Sequence, residues 1–316
     1  MTCLGLIAVP AALAQEPAKP QAASAFGITH AKGKHIDVSY RKKPVLRLMV
    51  ANDTSNKKKE QETYKVYAHV MDPLDRQGRR RLTKGAGDKF THHRGIFVGW
   101  SKTTVEGVGG VDTWHMKGNR QHFVKILEQK SEPESATLSV AIDWVKGTQS
   151  LMREVRTFVV HRPGTKGDVL IDESSTITAI AGKTVLAGDP EHAGMQFRAH
   201  EAVVKNKSAK YLFPEGQRPG NKGDKDMAWA AMSFSIEDRA YFVQHMSHSA
   251  LPKGNVYSAY RDYGRFGAYF RKTLDKGHSA TFRVRFYISP GSFAGDADEA
   301  RKPMMQRYAD YVKDVR

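Results

Sequence analysis

Histidine and arginine side chains directly precede a strand-like run near the first third of the chain. The segment FTHHRGIFVGW (90–100) carries His92, His93 and Arg94 just before its apolar residues. In an extended backbone His92 and Arg94 would share a face, and His93 would point the other way. A turn at the neighbouring threonine and glycine would let all three side chains serve one pocket.

The segment DPEHAGMQFRAHE (189–201) has two different faces when it is read as a strand. Counting by twos places four polar side chains together, those of His192, Gln196, Arg198 and His200. Met195 and Phe197 fall on the opposite side. The polar face is therefore interpreted as a ligand-facing surface, and the apolar face as core.

The glycine-rich segment GVGGVDTWH (107–115) ends in Asp112, Trp114 and His115. A carboxylate beside an indole can hold a sugar, because the sugar ring packs on the aromatic face and its hydroxyls bond to the acid. The alternative is a core tryptophan beside a turn aspartate. No P-loop lysine follows the glycines, so a nucleotide site is not favoured.

Two further segments carry charged groups at strand-like spacing. Arg261 and Tyr263 lie in AYRDYGRFGAYF (259–270), where the guanidinium could clamp a carboxylate or a set of hydroxyls, or else pair with Asp262 as a structural corner. Glu154 shares strand parity with Arg156 and is a further candidate acid or base.

Proton transfer by histidine and carboxylate is the chemistry that these residues support best. The predicted acid and base groups are His93 and His192, with Asp112 or Glu154 as the carboxylate. The predicted substrate-binding residues are His92, Arg94, Trp114, Gln196, Arg198, His200, Arg261 and Tyr263. A serine triad is not favoured, because no G-x-S-x-G elbow is present.

The chain has 13 histidines, which raises the question of a metal site, with His115 among the candidate ligands. However, neither HExxH nor HxH spacing occurs. No cofactor is predicted, and a divalent metal is the alternative.

The charge balance limits the partners. The 50 Lys and Arg against 33 Asp and Glu give a net charge of +17, which favours anionic ligands, polyanions or a membrane surface. The basic runs fall beside turns and are interpreted as solvated. Because no basic helical stripe, zinc-finger spacing or RNA-recognition signature is present, nucleic acid is not expected. A saccharide, acidic or oxidised, is the expected ligand.

The opening residues predict export. Residues 1–14 are largely apolar and end in Ala-Leu-Ala, a pattern that signal peptidase accepts, so they are interpreted as a signal peptide, complete or truncated at its start. The mature protein is then expected in the periplasm or outside the cell. Its one cysteine, Cys3, would leave with the signal. No apolar run approaches the length of a membrane span.

The apolar pattern after the leader has a period of two, as in ATLSVAIDWV and ATFRVRFYIS. Many such short segments between turn residues predict an all-β fold, a large antiparallel β-sandwich, with one C-terminal helix in which Pro303 requires a kink or a late start. The predicted organisation is a flexible leader over 15–33 and a single domain over 34–316.

Four sequence blocks, FTHHRGIFVGW, DTWH, DPEHAGMQFR and RDYGRFGAYF, occur in this order, and with them the chain resembles the DUF6807 family over about residues 36–290. The resemblance implies a sandwich related to the galactose mutarotase-like supersandwich, in exported bacterial proteins associated with saccharide breakdown. The family's common label, methane oxygenase PmoA, does not fit a chain without a spanning segment. The late glutamate base of mutarotases has no clear counterpart here, since Asp262 occupies that region, so mutarotation is not expected.

These features predict an exported carbohydrate-active enzyme, a glycoside hydrolase or lyase. The alternative is a non-catalytic β-sandwich that binds a saccharide or a polyanion. Both readings require the 92–94 and 192–200 segments to meet in one cleft.

Overall fold

A computed structural model describes residues 24–72, 74–75, 77–220, 222–293 and 295–314. The predicted signal peptide, residues 1–14, lies outside this part of the chain.

Eight antiparallel strands form the first large sheet. In spatial order they are β1 (Phe26–Ala31), β2 (His35–Tyr40), β3 (Lys43–Met49), β4 (Tyr67–Val70), β5 (Ile96–Trp100), β13 (Ala193–Arg198), β18 (Arg265–Tyr269) and β17 (Val256–Ser258).

Eight further antiparallel strands form the second large sheet. In spatial order they are β14 (Lys210–Leu212), β15 (Trp229–Ile236), β16 (Arg239–Ser247), β20 (Ser279–Pro290), β11 (Val169–Ala179), β10 (Gln149–His161), β9 (Ser135–Lys146) and β8 (Arg120–Ser131). A small sheet contains β19 (Lys272–Leu274), β12 (Thr184–Leu186), β6 (Thr103–Val105) and β7 (Gly109–Val111).

The main core lies between the two large sheets. Phe197 of β13 packs against Phe286 of β20 and Phe234 of β15, with ring centroids 6.1 and 6.3 Å apart. The alternating residues of β9 and β20 point into this core, as the period of two predicts; Val140 and Val284 are fully buried. The predicted antiparallel β-sandwich is therefore confirmed.

Three helices flank the sheets: α1 (Lys57–Thr63), α2 (Ala202–Asn206) and α3 (Ala297–Asp314). The C-terminal helix α3 is confirmed, and it packs through Met304 and Tyr311 against Trp229 on the outer face of the second sheet. It begins before Pro303 and continues through it, so the late start is wrong. Among the described residues, no helix is long and apolar enough to cross a membrane.

The predicted flexible leader, residues 15–33, is wrong for its last part, and its residues 15–23 lie outside the described part of the chain. Residues 26–31 form β1, which pairs antiparallel with β2. Phe26 is buried against Tyr40, with ring centroids 5.0 Å apart, and Gly33 adopts a left-handed φ of 71° in the turn between the strands. The alternation of the apolar residues Phe26 and Ile28 is the sequence feature from which this strand could have been predicted.

Glu154 belongs to the sandwich core, not to a substrate cleft. Its carboxylate accepts hydrogen bonds from Trp144 Nε1 at 2.9 Å, from Arg156 Nε and Nη2 at 2.7 and 2.8 Å, and from Ser175 Oγ at 2.7 Å. Arg156 in turn donates to the carbonyl of Val66, which leads into the first sheet. This network contradicts the predicted role of Glu154 as an acid or base, because its oxygens are already occupied by structural partners.

We expect Glu154→Ala to lower the free energy of unfolding by about 3–5 kcal/mol, because it leaves the fully buried Arg156 without its carboxylate. Glu173 lies 3.9 Å from Arg156, but burial raises its pKa to about 8, so it is largely neutral at pH 7. Urea unfolding followed by circular dichroism measures the change. Ser175→Ala, which removes one hydroxyl donor from the same carboxylate, should cost only about 1 kcal/mol; equal losses for the two variants would contradict this account.

Candidate active site

The outer face of the first sheet carries the polar side chains of β13. Met195 and Phe197 point into the core, whereas Gln196 and Arg198 point outward, as their spacing predicts. Both outward side chains are nevertheless fully buried, because loops cover this face.

A turn brings His92 and His93 onto the same outer face. Phe90 and Gly95 adopt left-handed φ angles of 59° and 50°, and the amide of His93 donates to the carbonyl of Phe90 at 2.9 Å. A Cβ at Gly95 would lie 2.0 Å from the carbonyl oxygen of Ala68, so only glycine fits there. The two imidazole rings consequently lie side by side, 4.2 Å apart.

The 107–115 segment contains β7, and Asp112, Trp114 and His115 lie just after this strand, where the chain turns. Asp112 accepts hydrogen bonds from the amides of Trp114 and His115 at 3.2 and 2.9 Å, and from His115 Nδ1 at 2.8 Å. Trp114 is fully buried between His93 and Phe97, at 5.4 and 5.0 Å. The indole is therefore not an exposed stacking platform, and the alternative of a core tryptophan beside a turn aspartate is correct.

His192 completes a line of four imidazoles, which we call the histidine row: His93, His92, His115 and His192. Ring centroids are 4.4 Å apart between His92 and His115, and 5.4 Å apart between His115 and His192. His192 Nδ1 lies 2.9 Å from Asp189 Oδ1. The side chains of His115 and His192 are 28% and 37% exposed, so solvent reaches this end of the row.

Sequence reasoning missed the pairing role of His115 and Asp189. The signal was present, because DTWH (112–115) and DPEH (189–192) are both Asp-x-x-His segments. Each aspartate accepts from the histidine three residues later, and the two pairs come from different loops.

Burial keeps the inner half of the row uncharged. It lowers the pKa of His92 to about 2, assisted by the nearby Lys65 ammonium. Burial, with the guanidinium of Arg265 close by, also holds the pKa of His93 well below its usual range. Burial opposes ionisation of Asp112, but its hydrogen bonds from His115 prevail and lower its pKa. At neutral pH, His93 is thus a neutral, enclosed ring and cannot serve as the predicted acid.

Lys65, which sequence reasoning did not select, joins two of the site loops. Its buried Nζ donates to the carbonyls of His92 at 3.1 Å and Trp114 at 2.8 Å. The ammonium also lies 4.7 Å from the centroid of the Phe97 ring, and burial holds its pKa well below the usual range.

Three predicted substrate-binding residues have structural partners instead. Arg94 is fully buried over the ring of Tyr64 and donates to the carbonyls of Gln61, Glu62 and Thr91. This arrangement holds the end of α1 and contradicts its role as a substrate clamp.

The two others are Gln196 and His200. Gln196 accepts from Arg265 Nη1 at 3.0 Å and donates to the carbonyl of Ala193. His200 lies at the start of α2, where it accepts from the amide of Ala202, and it makes no ring contact with the histidine row among the described residues.

Arg261 and Tyr263 lie at the edge of the site. Arg261 pairs with Glu191, just before His192, and is partly exposed. The ring of Tyr263 stacks on His93 with centroids 6.0 Å apart and an interplanar angle of 14°.

Two cavities help to place the site. One of about 740 Å³ is bordered by Arg41, His161 and Arg162, away from the histidine row. The other, of about 350 Å³, is bordered by Lys65 and Tyr67 and so adjoins the loops that Lys65 joins. We place the candidate site at the row because two His–Asp pairs adjoin each other there.

A metal site finds no support in the described ranges, where no group of three or more His, Cys, Asp or Glu side chains is arranged to hold an ion.

Residues 35–304 match the DUF6807 family, which is described as a family of unknown function. The chain belongs to this family. The DUF6807 resemblance of the sequence blocks is thereby confirmed. No curated protein matches the chain in a sequence comparison.

Several solved structures are similar to this DUF6807 chain at low identity. A heparan sulfate lyase from Pedobacter heparinus has 10% identity and a TM-score of 0.36, with 83% of this chain and 34% of the lyase covered. An α-galactosidase from Lactobacillus brevis has 9% identity and a TM-score of 0.39, with 86% and 40% covered. An aldose epimerase homologue from C. elegans has 8% identity and a TM-score of 0.35, with 85% and 100% covered. The chain thus spans well under half of the first two proteins.

We expect the free energy of unfolding to fall as the pH drops below about 6.5. His92 has a pKa of about 2 when folded and an ordinary value of 6.5, so the unfolded chain binds more protons between these values. The contribution of His92 to the free energy of unfolding is therefore fully present above pH 6.5 and is lost on acidification. The loss is about 1.4 kcal/mol per pH unit for each such histidine. His92→Gln should reduce this slope by about one proton in urea titrations at several pH values. His122→Gln, at an exposed position of β8, is the control; parallel curves for His92→Gln and wild type would contradict the assignment.

Proposed function

We propose that this chain is an exported carbohydrate-active enzyme, a glycoside hydrolase or lyase, that uses His–Asp proton transfer at the outer end of the histidine row. The observation that carries the proposal is the contact between two His–Asp pairs. His115 with Asp112 and His192 with Asp189 come from separate loops, yet their imidazole centroids lie 5.4 Å apart.

The hydrogen bonds assign a chemical role to each ring nitrogen. In both pairs Nδ1 faces the carboxylate, which accepts a hydrogen bond from Nδ1–H and so fixes the tautomer and the ring orientation. Nε2 is then the atom that can take a proton from a substrate. If one ring is neutral and its neighbour is protonated at Nε2, the neutral ring can take a proton from water or from the sugar carbon, while the protonated ring gives its Nε2 proton to the leaving glycosidic oxygen. The pair can thus serve both halves of glycosidic bond cleavage, by hydrolysis or by elimination.

Lys65 and His92, which lie further inside the site, support this chemistry through their positions relative to His115. Lys65 fixes the carbonyls of His92 and Trp114, so the two loops that carry His92 and His115 keep their spacing. Neutral His92, in ring contact with His115, can exchange hydrogen bonds with a sugar hydroxyl. The alternative of a non-catalytic binding protein anticipates an exposed aromatic surface, and the burial of Trp114 weighs against that.

We expect His192→Ala and His115→Ala each to lower kcat/KM by about 10²-fold or more, the usual contribution of a positioned acid or base. The measurement is product formation from neutral, 3-keto and uronic glycosides, with and without chelator. Asp189→Asn should act in the same direction, because an amide no longer fixes the imidazole tautomer.

His161→Ala is the matched control. His161 also pairs with an aspartate, with 2.8 Å between its Nε2 and Asp172 Oδ2, but it borders the larger cavity. Its replacement should leave turnover unchanged. Loss of activity in His161→Ala with full activity in His192→Ala would move the site to the larger cavity, and binding without turnover would favour the non-catalytic alternative.

A further inference from the structure

Two arginines lie directly opposite each other on the outer face of the first sheet. Arg198 of β13 and Arg265 of β18 are cross-strand partners, and both are fully buried. Like charges at directly opposite positions destabilise a sheet, and a buried charge without a counter-ion is costly. Such a pair requires an explanation beyond the fold.

The protein groups that accept hydrogen bonds from these arginines are neutral. Arg265 donates to the Gln196 side-chain oxygen and to Ser258 Oγ, each at 3.0 Å. Arg198 Nη1 donates to the carbonyls of Ala199 and Tyr263. Within the described ranges, neither guanidinium forms a salt bridge with a carboxylate.

Other arginines of this chain show which edge of the guanidinium takes a carboxylate. Four of them use Nε and Nη2 together for the two oxygens: Arg47 with Asp37, Arg153 with Asp143, Arg156 with Glu154, and Arg285 with Asp172. This side-on geometry is the bidentate arrangement that favours carboxylates. In Arg198 the same two atoms, Nε and Nη2, are buried and have no hydrogen-bond partner among the described residues.

More buried polar atoms lie around the arginine pair. Both ring nitrogens of His93, Nε1 of Trp114 and Nε of Arg265 also lack a partner in the part of the chain that the structure describes. The Arg265 guanidinium lies 5.7 Å from the Trp114 ring centroid, and that ring lies 5.4 Å from His93. Since buried donors rarely remain unpaired, their grouping indicates a ligand that is rich in acceptors.

We propose that the Nε and Nη2 edge of Arg198, with Arg265 beside it, binds the carboxylate of an acidic saccharide. The inference rests on the proposed function and names its substrate class as uronic glycosides. His93 adjoins His92 in the histidine row, so a sugar held by its carboxylate at the arginine pair would extend towards the His–Asp pairs.

Two aromatic side chains cover this position. Phe90 and Tyr263 are half-buried, and their ring centroids are 5.0 Å apart. The Tyr263 ring also lies over Arg198, 5.2 Å from the guanidinium carbon. Phe90 holds a left-handed φ of 59°, which is unfavourable for a bulky residue. We infer that the carboxylate gains access when these two rings are displaced.

The test is calorimetric titration of the full chain with glucuronate and galacturonate, against glucose and galactose as neutral counterparts and acetate as a free carboxylate. The wild type should bind the uronates at least about tenfold more tightly than the neutral sugars, the scale of a charge-assisted bidentate contact. Acetate should bind more weakly than the uronates. If acetate matches them, the site takes a free carboxylate and the sugar contributes nothing, which would overturn the substrate assignment.

Variants of Arg198 test whether the carboxylate binds at this arginine. Arg198→Gln and Arg198→Lys should both weaken uronate binding at least about tenfold, because neither side chain offers the bidentate edge. Arg153→Gln, at an exposed pair on the second sheet, should bind like wild type. Arg198→Gln should also melt at or above the wild-type temperature without ligand, since it removes the repulsion from Arg265. Wild-type affinity for uronates in both Arg198 variants would overturn the proposal.

The outcome remains decisive if the Arg198 variants do not fold. In that case two measurements test the proposal: the affinities of the wild type for uronates and for neutral sugars, and the uronate affinity of Arg265→Gln. Equal affinity of the wild type for glucuronate and glucose would be sufficient to reject the carboxylate site. The two proposals also fail separately. If the chain turns over neutral glycosides and this turnover depends on His192, only the carboxylate site is rejected. If the chain binds uronates through Arg198 but turns over no substrate, only the enzyme assignment is rejected.

Discussion

Basic side chains that are buried without a salt-bridged carboxylate constrain how the loops lie over the first sheet. Five cationic side chains on or beside its outer face are almost completely buried: Lys65, Lys84, Arg94, Arg198 and Arg265. No salt bridge joins any of them to a carboxylate in the described part of the chain. Because a buried charge must find compensating dipoles, backbone carbonyls have to approach these groups.

The carbonyls that accept from these groups belong partly to loops beside the site and partly to α1. Lys65 takes those of His92 and Trp114, Lys84 takes those of Gly85 and Gly87, and Arg94 takes those of Gln61, Glu62 and Thr91. Each cation thereby fixes the path of a segment that would otherwise be free to move. The spacing between the histidines follows from this, because His92 and His115 sit on two loops that share Lys65. Loop geometry and site chemistry therefore have a common electrostatic cause.

Strand patterns made much of the fold predictable, but they could not show what covers a strand. Parity correctly separated Met195 and Phe197 from Gln196 and Arg198, since side chains alternate whatever lies above them. The same parity could not reveal that Arg94 would bind the end of α1, because Gln61 and Glu62 come from a distant segment. For Glu154 the parity with Arg156 was informative, since the two side chains do pair, but it could not show that both would be fully buried in the core. The Asp-x-x-His pairs were different, since both partners are local and the spacing itself contained the information.

Arg94 and Arg198 differ in whether the protein itself supplies partners for the guanidinium. Both are fully buried, and both lie over a tyrosine ring, at 4.3 and 5.2 Å. Arg94 has carbonyl partners for Nε and Nη2, whereas in Arg198 these same atoms lack partners among the described residues. A chain selected for stability alone would gain from replacing Arg198 with a neutral side chain, because Arg265 faces it across the strands. In the proposal made above, this cost is recovered when an anionic group binds, which agrees with the general observation that proteins depart from the rules of stability at functional sites.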